Sequence, residues 1–279
     1  MRIRSFDADK AILYLVATPI GNLEDITFRA INILKSVDKI YAEDTRNSLV
    51  LLSHYGISTH LESYHEFNQE LKGEQILKEL EEGKKLAIIS DAGLPVISDP
   101  GFRIAKLAIE KGIAVSTIPG PSAGISALIA SGMAPTPFTF YGFLDSKKTK
   151  KVKELEDLKH LPTTLIFYEA PHRIVETLEL MLEVFGNRNI CLARELTKSY
   201  EEFIRGSISD VLEQLPVKGE IVLIVEGQKD ELNIDNPLAR IDELISLGTK
   251  PNDAIKEVAK EIKISKSELY KEYLEYKNK

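Results

Sequence analysis

Residues 86–101 combine a short apolar run with a concentration of side chains that can bind a ligand. The run from Leu86 to Ile89 is followed by twelve residues that hold two Asp, two Ser, two Gly and two Pro, and a helical pattern begins at Phe102. This order predicts a buried strand, a long rigid loop and a helix. Ligands of α/β proteins bind at the carboxyl ends of the strands, and ordered loops of this length are usually functional.

Four other short apolar runs also end in polar or Gly/Pro-rich turns, at residues 17–23, 43–46, 64–66 and 119–123. Helical patterns alternate with these runs, which is typical of a parallel sheet with helices on both faces. We therefore expect an N-terminal α/β domain over residues 1–120, with its first helix capped near Asp25, and one ligand cleft where the turns meet. The Gly-rich fingerprints of dinucleotide and triphosphate sites are absent from the sequence.

The second half of the chain predicts another α/β domain, over residues 121–227. Strands are predicted at residues 139–144, 164–168, 190–193 and 221–225, with an additional antiparallel strand near 200–205 and helices near 148–159, 172–185 and 207–214. From residue 228 the chain changes character. A polar linker up to residue 237 precedes three short helical patterns, which favour a small tail resembling a helix-turn-helix module.

The composition restricts the class of protein. No apolar run approaches the roughly 20 residues that span a bilayer, and the first ten residues lack the apolar segment of a signal peptide. We therefore expect a cytoplasmic protein without a membrane partner. The net charge of −7 disfavours a general nucleic-acid coat but allows a local basic patch. The single cysteine, Cys191, is predicted to lie in the core, and the five histidines show no ligand spacing, so no metal is expected.

Seven ordered motifs give the chain a family resemblance. The motifs are VATPIGNLED at 16–25, AEDTR at 42–46, YHE at 64–66, SDAGLPVISDPG at 90–101, PGPSA at 119–123, YEAPHR at 168–173 and ARELTK at 193–198. With them the chain resembles the bacterial small-subunit ribosomal RNA ribose 2′-O-methyltransferases of the tetrapyrrole methylase superfamily, from about Ile12 to Gly227.

The resemblance implies two α/β domains of the class III methyltransferase type, with a parallel N-terminal sheet, a mixed C-terminal sheet and S-adenosylmethionine in the cleft between them. It also implies methyl transfer to the ribose of a decoding-centre cytidine in small-subunit ribosomal RNA, by a homodimer. The cofactor residues carried over from the motifs are Pro19, Gly21, Asp91, Ala92, Gly93, Leu94, Pro95, Ile97, Ser98, Pro119, Ser122, Ala123, Gly142, Phe143, Leu144 and Glu169.

The sequence departs from the usual family pattern at four positions, Asn47, Phe67, Leu94 and Asp145. The family commonly has a threonine at position 94, so a side-chain contact with the cofactor is in doubt there. A backbone contact at the same position remains open.

Methyl transfer to a hydroxyl needs alignment, exclusion of water and preferably a base. The candidates for the base are Asp44, Glu169 and Glu195, with His65 and His172 behind them, and each could instead cap a helix or form an ion pair. The candidate RNA contacts are Arg46, His65, Lys147, Lys148, Lys150, Lys151, His172, Arg173, Arg194 and Lys198. Two alternatives stay open: a related methylase of tetrapyrrole carbon or of a modified histidine, and a protein that binds nucleotide or RNA without catalysis.

Overall fold

The chain forms two compact units, Met1–Gly227 and Gln228–Lys279. The computed structural model describes residues 10–228, 236–262 and 264–277. The first nine residues and most of the predicted linker, residues 229–235, therefore lie outside the described part.

The first sheet contains five strands that all run in the same direction, in the order β3-β2-β4-β1-β5. These strands are β1 (Ile12–Val16), β2 (Lys39–Ala42), β3 (Leu61–Ser63), β4 (Lys85–Ile89) and β5 (Ala114–Ile118). Val16 pairs with both Ile89 and Ile118, and Ala42 also pairs with Ile89. The carboxyl ends of the strands are thus level, and the predicted parallel sheet is confirmed.

Helices cover both faces of this sheet because successive residues of each strand point to opposite sides. They are α1 (Phe28–Ser36), α2 (Thr45–His54), α3 (Gln69–Glu81) and α4 (Phe102–Glu110). On one face Ala87 and Ile89 pack with Leu34 of α1, and on the other Leu86 and Ile88 pack with Ile104 of α4. The helix cap predicted near Asp25 is Thr27, two residues further along the chain. Asp25 lies in a short 3₁₀ turn, Leu23–Asp25, and the Thr27 hydroxyl caps α1 by accepting from the Ala30 N–H at 3.1 Å.

The second sheet is mixed, in the order β6-β7-β10-β8-β9. Its strands are β6 (Phe138–Phe143), β7 (Thr164–Glu169), β8 (Asn189–Arg194), β9 (Glu202–Ser207) and β10 (Ile221–Val225). Strands β6 and β7 are parallel, whereas β10 runs antiparallel to both β7 and β8. Ile221, the first residue of β10, therefore pairs with Glu169 and Arg194, the last residues of its two neighbours. The predicted mixed sheet is confirmed.

The helices of the second half are α5 (Ala123–Ser131), α6 (Lys148–Leu158), α7 (Ile174–Phe185) and α8 (Ile208–Leu212). Helix α5 packs on one face of the second sheet, where its Leu128 contacts the cluster that contains the fully buried Cys191. Helices α6, α7 and α8 cover the other face around Phe167. Both sheets belong to the unit that ends at Gly227, and the boundary predicted after residue 120 stays a prediction.

The second unit contains three helices, α9 (Pro237–Ser246), α10 (Pro251–Glu261) and α11 (Lys266–Lys277). They pack around Ile241, Ile255 and Leu269, and the Tyr273 hydroxyl donates to Asp242 at 2.5 Å. Within the described ranges, no helix of either unit is long and apolar enough to cross a membrane.

Candidate active site

The loop that follows β4, residues 90–101, is held in place by hydrogen bonds to the turn after β1. Thr18 and Gly93 exchange two backbone hydrogen bonds of 2.9 and 3.1 Å, and the buried Thr18 hydroxyl donates to the Ser90 carbonyl at 3.1 Å. Further along the loop, Val96 and Ser98 have positive φ values of 79° and 66°. Such values are costly for residues with a Cβ and persist where the surroundings impose them, as they often do in ligand sites.

Close approaches between turns explain two glycines of the sequence motifs. A Cβ on Gly120 would lie 2.7 Å from the Ala17 Cβ, so only glycine lets the turns after β1 and β5 touch. A Cβ on Gly21 would lie 2.6 Å from Cγ of Lys198, which belongs to the loop after β8. Gly21 thus leaves room for a contact between the loops of the two sheets.

The loops enclose a cleft with a volume of about 380 Å³, within the usual range of small-molecule sites. Nine of the residues predicted to bind a cofactor line it, namely Ala92, Gly93, Leu94, Ile97, Ser98, Ser122, Ala123, Phe143 and Glu169. The other seven, which are Pro19, Gly21, Asp91, Pro95, Pro119, Gly142 and Leu144, are not among the lining residues. The structure therefore brings more than half of the predicted cofactor residues together.

Ile20, which also lines the cleft, lies in the Pro19 to Gly21 turn that was predicted to contact the cofactor. Sequence reasoning missed several other residues of the cleft, including Asp99, Tyr168, Leu196, Glu220 and Val222. Asp99, Tyr168 and Leu196 lie within the quoted motifs, so the motifs themselves were a signal for them. Glu220 and Val222 come from the start of β10, which reaches the cleft because that strand is antiparallel to its neighbours.

Asp99 has the most perturbed carboxyl group of the cleft. Burial raises the pKa of Asp99 to about 7, and the nearby carboxylates of Glu43 and Asp91 act in the same direction. A hydrogen bond with Ser90 opposes this effect on the pKa without cancelling it. Near neutral pH, Asp99 is therefore a group that can both take up and release a proton.

Glu169 lies at the end of β7, is almost fully buried and lines the cleft. One carboxylate oxygen, Oε1, accepts from the Ala170 N–H at 2.8 Å and lies 3.2 Å from Nε of Arg173. The other oxygen, Oε2, accepts from the Thr177 hydroxyl at 2.6 Å. Glu169 thus accepts two hydrogen bonds and forms one ion pair within the protein, and these contacts fix its position in the wall of the cleft.

The other two candidates for the base are engaged elsewhere and do not line the cleft. Asp44 caps α2 and pairs with the exposed Arg46 at 2.6 Å, and the hydrogen bonds from Arg46 lower the pKa of Asp44 to about 2. Oε1 of Glu195 accepts from the Glu220 N–H and from Lys198, both at 3.0 Å. The helix cap and the ion pair, which the sequence had left open as alternatives, are therefore what the structure shows.

The lysines predicted to contact RNA separate into two groups. Lys147, Lys148 and Lys150 are exposed at the start of α6, where Asp145 accepts from the Lys147 N–H at 2.8 Å. Lys151 is 0% exposed, and its ammonium donates to Glu176 and Thr177, both at 3.1 Å. The expectation that Lys151 contacts RNA is therefore corrected, since a buried and bonded ammonium cannot reach a phosphate.

The remaining residues that were predicted to contact RNA also differ in their exposure and in their contacts within the protein. Arg46 and His172 are exposed, although Arg46 pairs with Asp44 at 2.6 Å. The other four are partly buried and also bond within the protein. Arg173 donates to the Leu144 carbonyl at 2.8 Å, Arg194 pairs with Glu202 at 2.5 Å, Lys198 pairs with Glu195 and Glu220, and Nε2 of His65 lies 3.2 Å from the Asn68 amide. For these four side chains, the contacts with other residues of the protein explain where the side chains lie.

Comparison of the sequence with models of known protein families identifies the family of this chain. The sequence model of the tetrapyrrole (corrin/porphyrin) methylases matches residues 12–212, which include both sheets except β10 and every loop motif of the cleft. The chain belongs to the tetrapyrrole methylase family.

Several curated members of this family are closely similar to the chain over nearly its whole length. They are named ribosomal RNA small subunit methyltransferase I. The relative from Bacillus subtilis is 50% identical over 278 residues and that from Halalkalibacterium halodurans 46% over 275, with 95% of each chain covered in both cases. The relative from Streptococcus pyogenes serotype M1 is 51% identical over 269 residues, with 94% of each chain covered.

Solved structures show the same fold at much lower sequence identity. Uroporphyrin-III-C-methyltransferase from Thermus thermophilus superposes with a TM-score of 0.54 at 20% identity, covering 78% of this chain and 94% of its own. Diphthine synthase superposes with a TM-score of 0.60 at 12% identity, covering 78% of this chain and 90% of its own. At these identities the likeness establishes the tetrapyrrole methylase fold alone.

Proposed function

We propose that the protein uses S-adenosylmethionine to methylate small-subunit ribosomal RNA, at the ribose 2′ oxygen of a decoding-centre cytidine. The observation that carries this proposal is the identity of 46–51% to the three relatives named above, over about 95% of both chains. A methylase of another substrate is less well supported, because the two structural neighbours with other names share only 12–20% of their residues with this chain.

The residues of the cleft fit S-adenosylmethionine. Three acidic residues, Asp99, Glu169 and Glu220, line the cleft, and no lysine or arginine of the described chain does. Arg173 and Lys198 pair with Glu169 and Glu220 from outside the lining. The acidic lining suits a positively charged ligand. Phe143 and Tyr168 add aromatic surface, with ring centroids 5.5 Å apart, which suits a nucleoside. Gly93 also lines the cleft, and a Cβ there would approach the Ile20 side chain to 3.3 Å, so a larger residue would crowd this wall of the cleft.

The chemistry divides between the cofactor and the chain. S-adenosylmethionine supplies a methyl group on a positively charged sulfur. The ribose hydroxyl is a weak nucleophile until its proton is removed, so the chain must offer a proton acceptor and keep water out. Within this proposal, the acceptor is Asp99, which lines the cleft, whereas Asp44 and Glu195 do not and Glu169 is held by other donors. Ile20, Leu94 and Leu196 provide the apolar walls.

Asp99 makes the reaction dependent on pH. A proton acceptor must be ionised, and the Asp99 pKa of about 7 places this ionisation in the neutral range. We expect kcat/KM to rise about tenfold per pH unit below pH 7 and to level off above it, because this parameter reports the free enzyme. Asp99→Asn should remove the rising limb and lower the plateau by about 100-fold or more. Rates measured from pH 5 to 9 on small ribosomal subunits test this.

Asp44→Asn is the matched control, because it removes a carboxylate whose pKa is about 2. This variant should retain the pH profile of the wild-type protein between pH 5 and 9. A rising limb that persists in Asp99→Asn and disappears in Asp44→Asn would reverse the assignment.

The partner follows from the substrate. The proposed RNA contact is the group of exposed lysines at the start of α6, Lys147, Lys148 and Lys150, together with Arg46 and His172.

The proposal also includes a homodimer that works in the cytoplasm, as the family resemblance implies. The molar mass in solution, measured by light scattering, tests the dimer.

The substrate itself can be tested directly. The protein is incubated with methyl-labelled S-adenosylmethionine and either small ribosomal subunits or uroporphyrinogen, and the RNA is digested to nucleosides. We expect label in the subunit RNA, in 2′-O-methylcytidine, and none in the tetrapyrrole. Label in uroporphyrinogen, or label on a base instead of a ribose, would contradict the proposed function.

A further inference from the structure

Lys151 belongs to a buried chain of hydrogen bonds that ends at the cleft. Its side chain is 0% exposed, and the ammonium donates to the Thr177 hydroxyl at 3.1 Å. Thr177 is likewise 0% exposed and donates its single hydroxyl proton to Oε2 of Glu169 at 2.6 Å. The chain thus connects helix α6, helix α7 and the end of strand β7 in that order.

The direction of every bond in this chain is fixed. A hydroxyl has one proton, which Thr177 gives to Glu169, so Thr177 can only accept from Lys151, and an ammonium can only donate. The positive charge lies at one end and the carboxylate at the other, so each bond polarises and strengthens the next. The second partner of Lys151, Glu176 at 3.1 Å, is about half exposed and balances the ammonium on the solvent side.

Glu169 retains the capacity to accept from a ligand. An ionised carboxylate has about four acceptor sites, and here the Ala170 N–H and the Thr177 hydroxyl use two of them. Nε of Arg173 lies 3.2 Å from Oε1 as an ion pair without forming a hydrogen bond. Because Glu169 is 3% exposed and lines the cleft, a group in the cleft is the remaining partner for this carboxylate. Its orientation is therefore set by its protein neighbours before a ligand enters.

We propose that Lys151 is a positioning residue for the cofactor site: through Thr177 it orients the Glu169 carboxylate to accept a hydrogen bond from the nucleoside or amino-acid part of S-adenosylmethionine. The proposal rests on the cofactor named in the proposed function and is independent of the RNA substrate. The nucleoside and amino-acid parts, with their hydrogen-bond donors, are present in both S-adenosylmethionine and S-adenosylhomocysteine. The affinity for both molecules should therefore depend on the hydrogen bonds that join Lys151, Thr177 and Glu169.

Calorimetric titration with S-adenosylmethionine and S-adenosylhomocysteine tests the proposal without RNA. Thr177→Val keeps the shape of the side chain and removes both hydrogen bonds. We expect it to weaken both ligands about tenfold, the size expected for one charge-assisted hydrogen bond. Thr177→Ser keeps the hydroxyl and should restore the wild-type affinity. Lys151→Met should weaken both ligands by a smaller factor, because Thr177 can still donate to Glu169.

A purely structural role for Lys151 makes a different prediction. Removal of one partner of a buried ion pair usually destabilises a protein, although Glu176 is about half exposed and can be hydrated in Lys151→Met. A structural role predicts a lower melting temperature with unchanged affinity for both ligands. The positioning role predicts weaker binding of both ligands by the folded variant, measured below its melting temperature. Glu176→Gln is the matched control, because it weakens the ion pair of Lys151 and leaves the bonds between Lys151, Thr177 and Glu169 in place. This variant should bind both ligands within about twofold of the wild-type affinity.

The outcomes separate this proposal from the proposed function. Folded Thr177→Val and Lys151→Met proteins that bind both ligands as the wild-type protein does would overturn the positioning role. So would a loss of affinity in Glu176→Gln as large as that in Lys151→Met. If the affinities follow the expected order but no label reaches ribosomal RNA, the positioning role stands and the proposed substrate fails.

Discussion

Gly93→Val is expected to weaken binding of S-adenosylmethionine by about 10- to 100-fold, since forcing extra carbon atoms into a packed site typically costs about 1–3 kcal/mol. Gly93 lines the cleft, and a Cβ at this position would already lie 3.3 Å from the Ile20 side chain. The two further methyl groups of valine would add to this crowding at the wall of the cleft that we assign to the cofactor. Calorimetric titration of the folded variant with S-adenosylmethionine measures the effect.

Gly83→Val is the control for backbone strain. Gly93 and Gly83 have φ values of 77° and 95°, which a β-branched residue adopts only with strain of about 1–3 kcal/mol. A Cβ on Gly83 has nothing within 4 Å, and Gly83 does not line the cleft. Both variants should therefore lose stability, but only Gly93→Val should lose affinity. Equal affinities for the two variants would show that the cleft is not the cofactor site.

The second large effect is expected at the basic start of α6. Replacement of Lys147, Lys148 and Lys150 by glutamate should weaken binding to small-subunit RNA at least about tenfold at low salt, because phosphate contacts supply most of the salt-dependent affinity. The slope of log K against log salt should become less steep by about two to three, or about 0.7–0.9 for each lost contact. Filter binding at several salt concentrations measures both quantities, and the affinity for S-adenosylmethionine should not change.

Three lysines elsewhere provide a control with the same change of charge. Lys78, Lys106 and Lys111 are exposed on α3, on α4 and at the end of α4, and Lys106 is exposed to nearly the same extent as Lys150, 63% against 64%. Their replacement by glutamate changes the net charge equally without altering the start of α6. If the RNA affinity and the slope of log K against log salt fall equally in both triple variants, the overall charge is responsible for the effect. The proposed RNA contact at the start of α6 is then wrong.

The sequence predicted the two sheets because most strands are short apolar runs and the motifs lie at their ends. The five strand ends 16, 42, 63, 89 and 118 lie at one edge as expected, since parallel strands place their carboxyl ends together. The direction of β10 was not predictable from its own residues, Ile221–Val225, because a fully buried strand has no polar side to show which way it runs. Glu220 and Val222 were missed in the cleft for this reason.

Lys151 shows how local composition misled the prediction of RNA contacts. It lies in a run of lysines, and composition alone makes all of them look exposed. Its spacing to Leu155 and Leu158, four and seven residues further on, places it on the buried face of α6. That helical spacing was present in the sequence and would have separated Lys151 from Lys150, whose partners four and seven residues further on are Glu154 and Asp157. Lys148 has the same spacing to Leu155 as a buried residue would, but it is exposed as the first residue of the helix.

The paired hydrogen bonds between Thr18 and Gly93 have a consequence for the thermodynamics of binding. A loop that is free in solution loses conformational entropy when a ligand orders it, and the observed affinity falls by that amount. Here the turn after β1 and the loop after β4 are joined through the protein itself, by the two backbone bonds and by the Thr18 hydroxyl. This wall of the cleft is therefore already ordered, and the free energy of cofactor binding is not reduced by the need to order it.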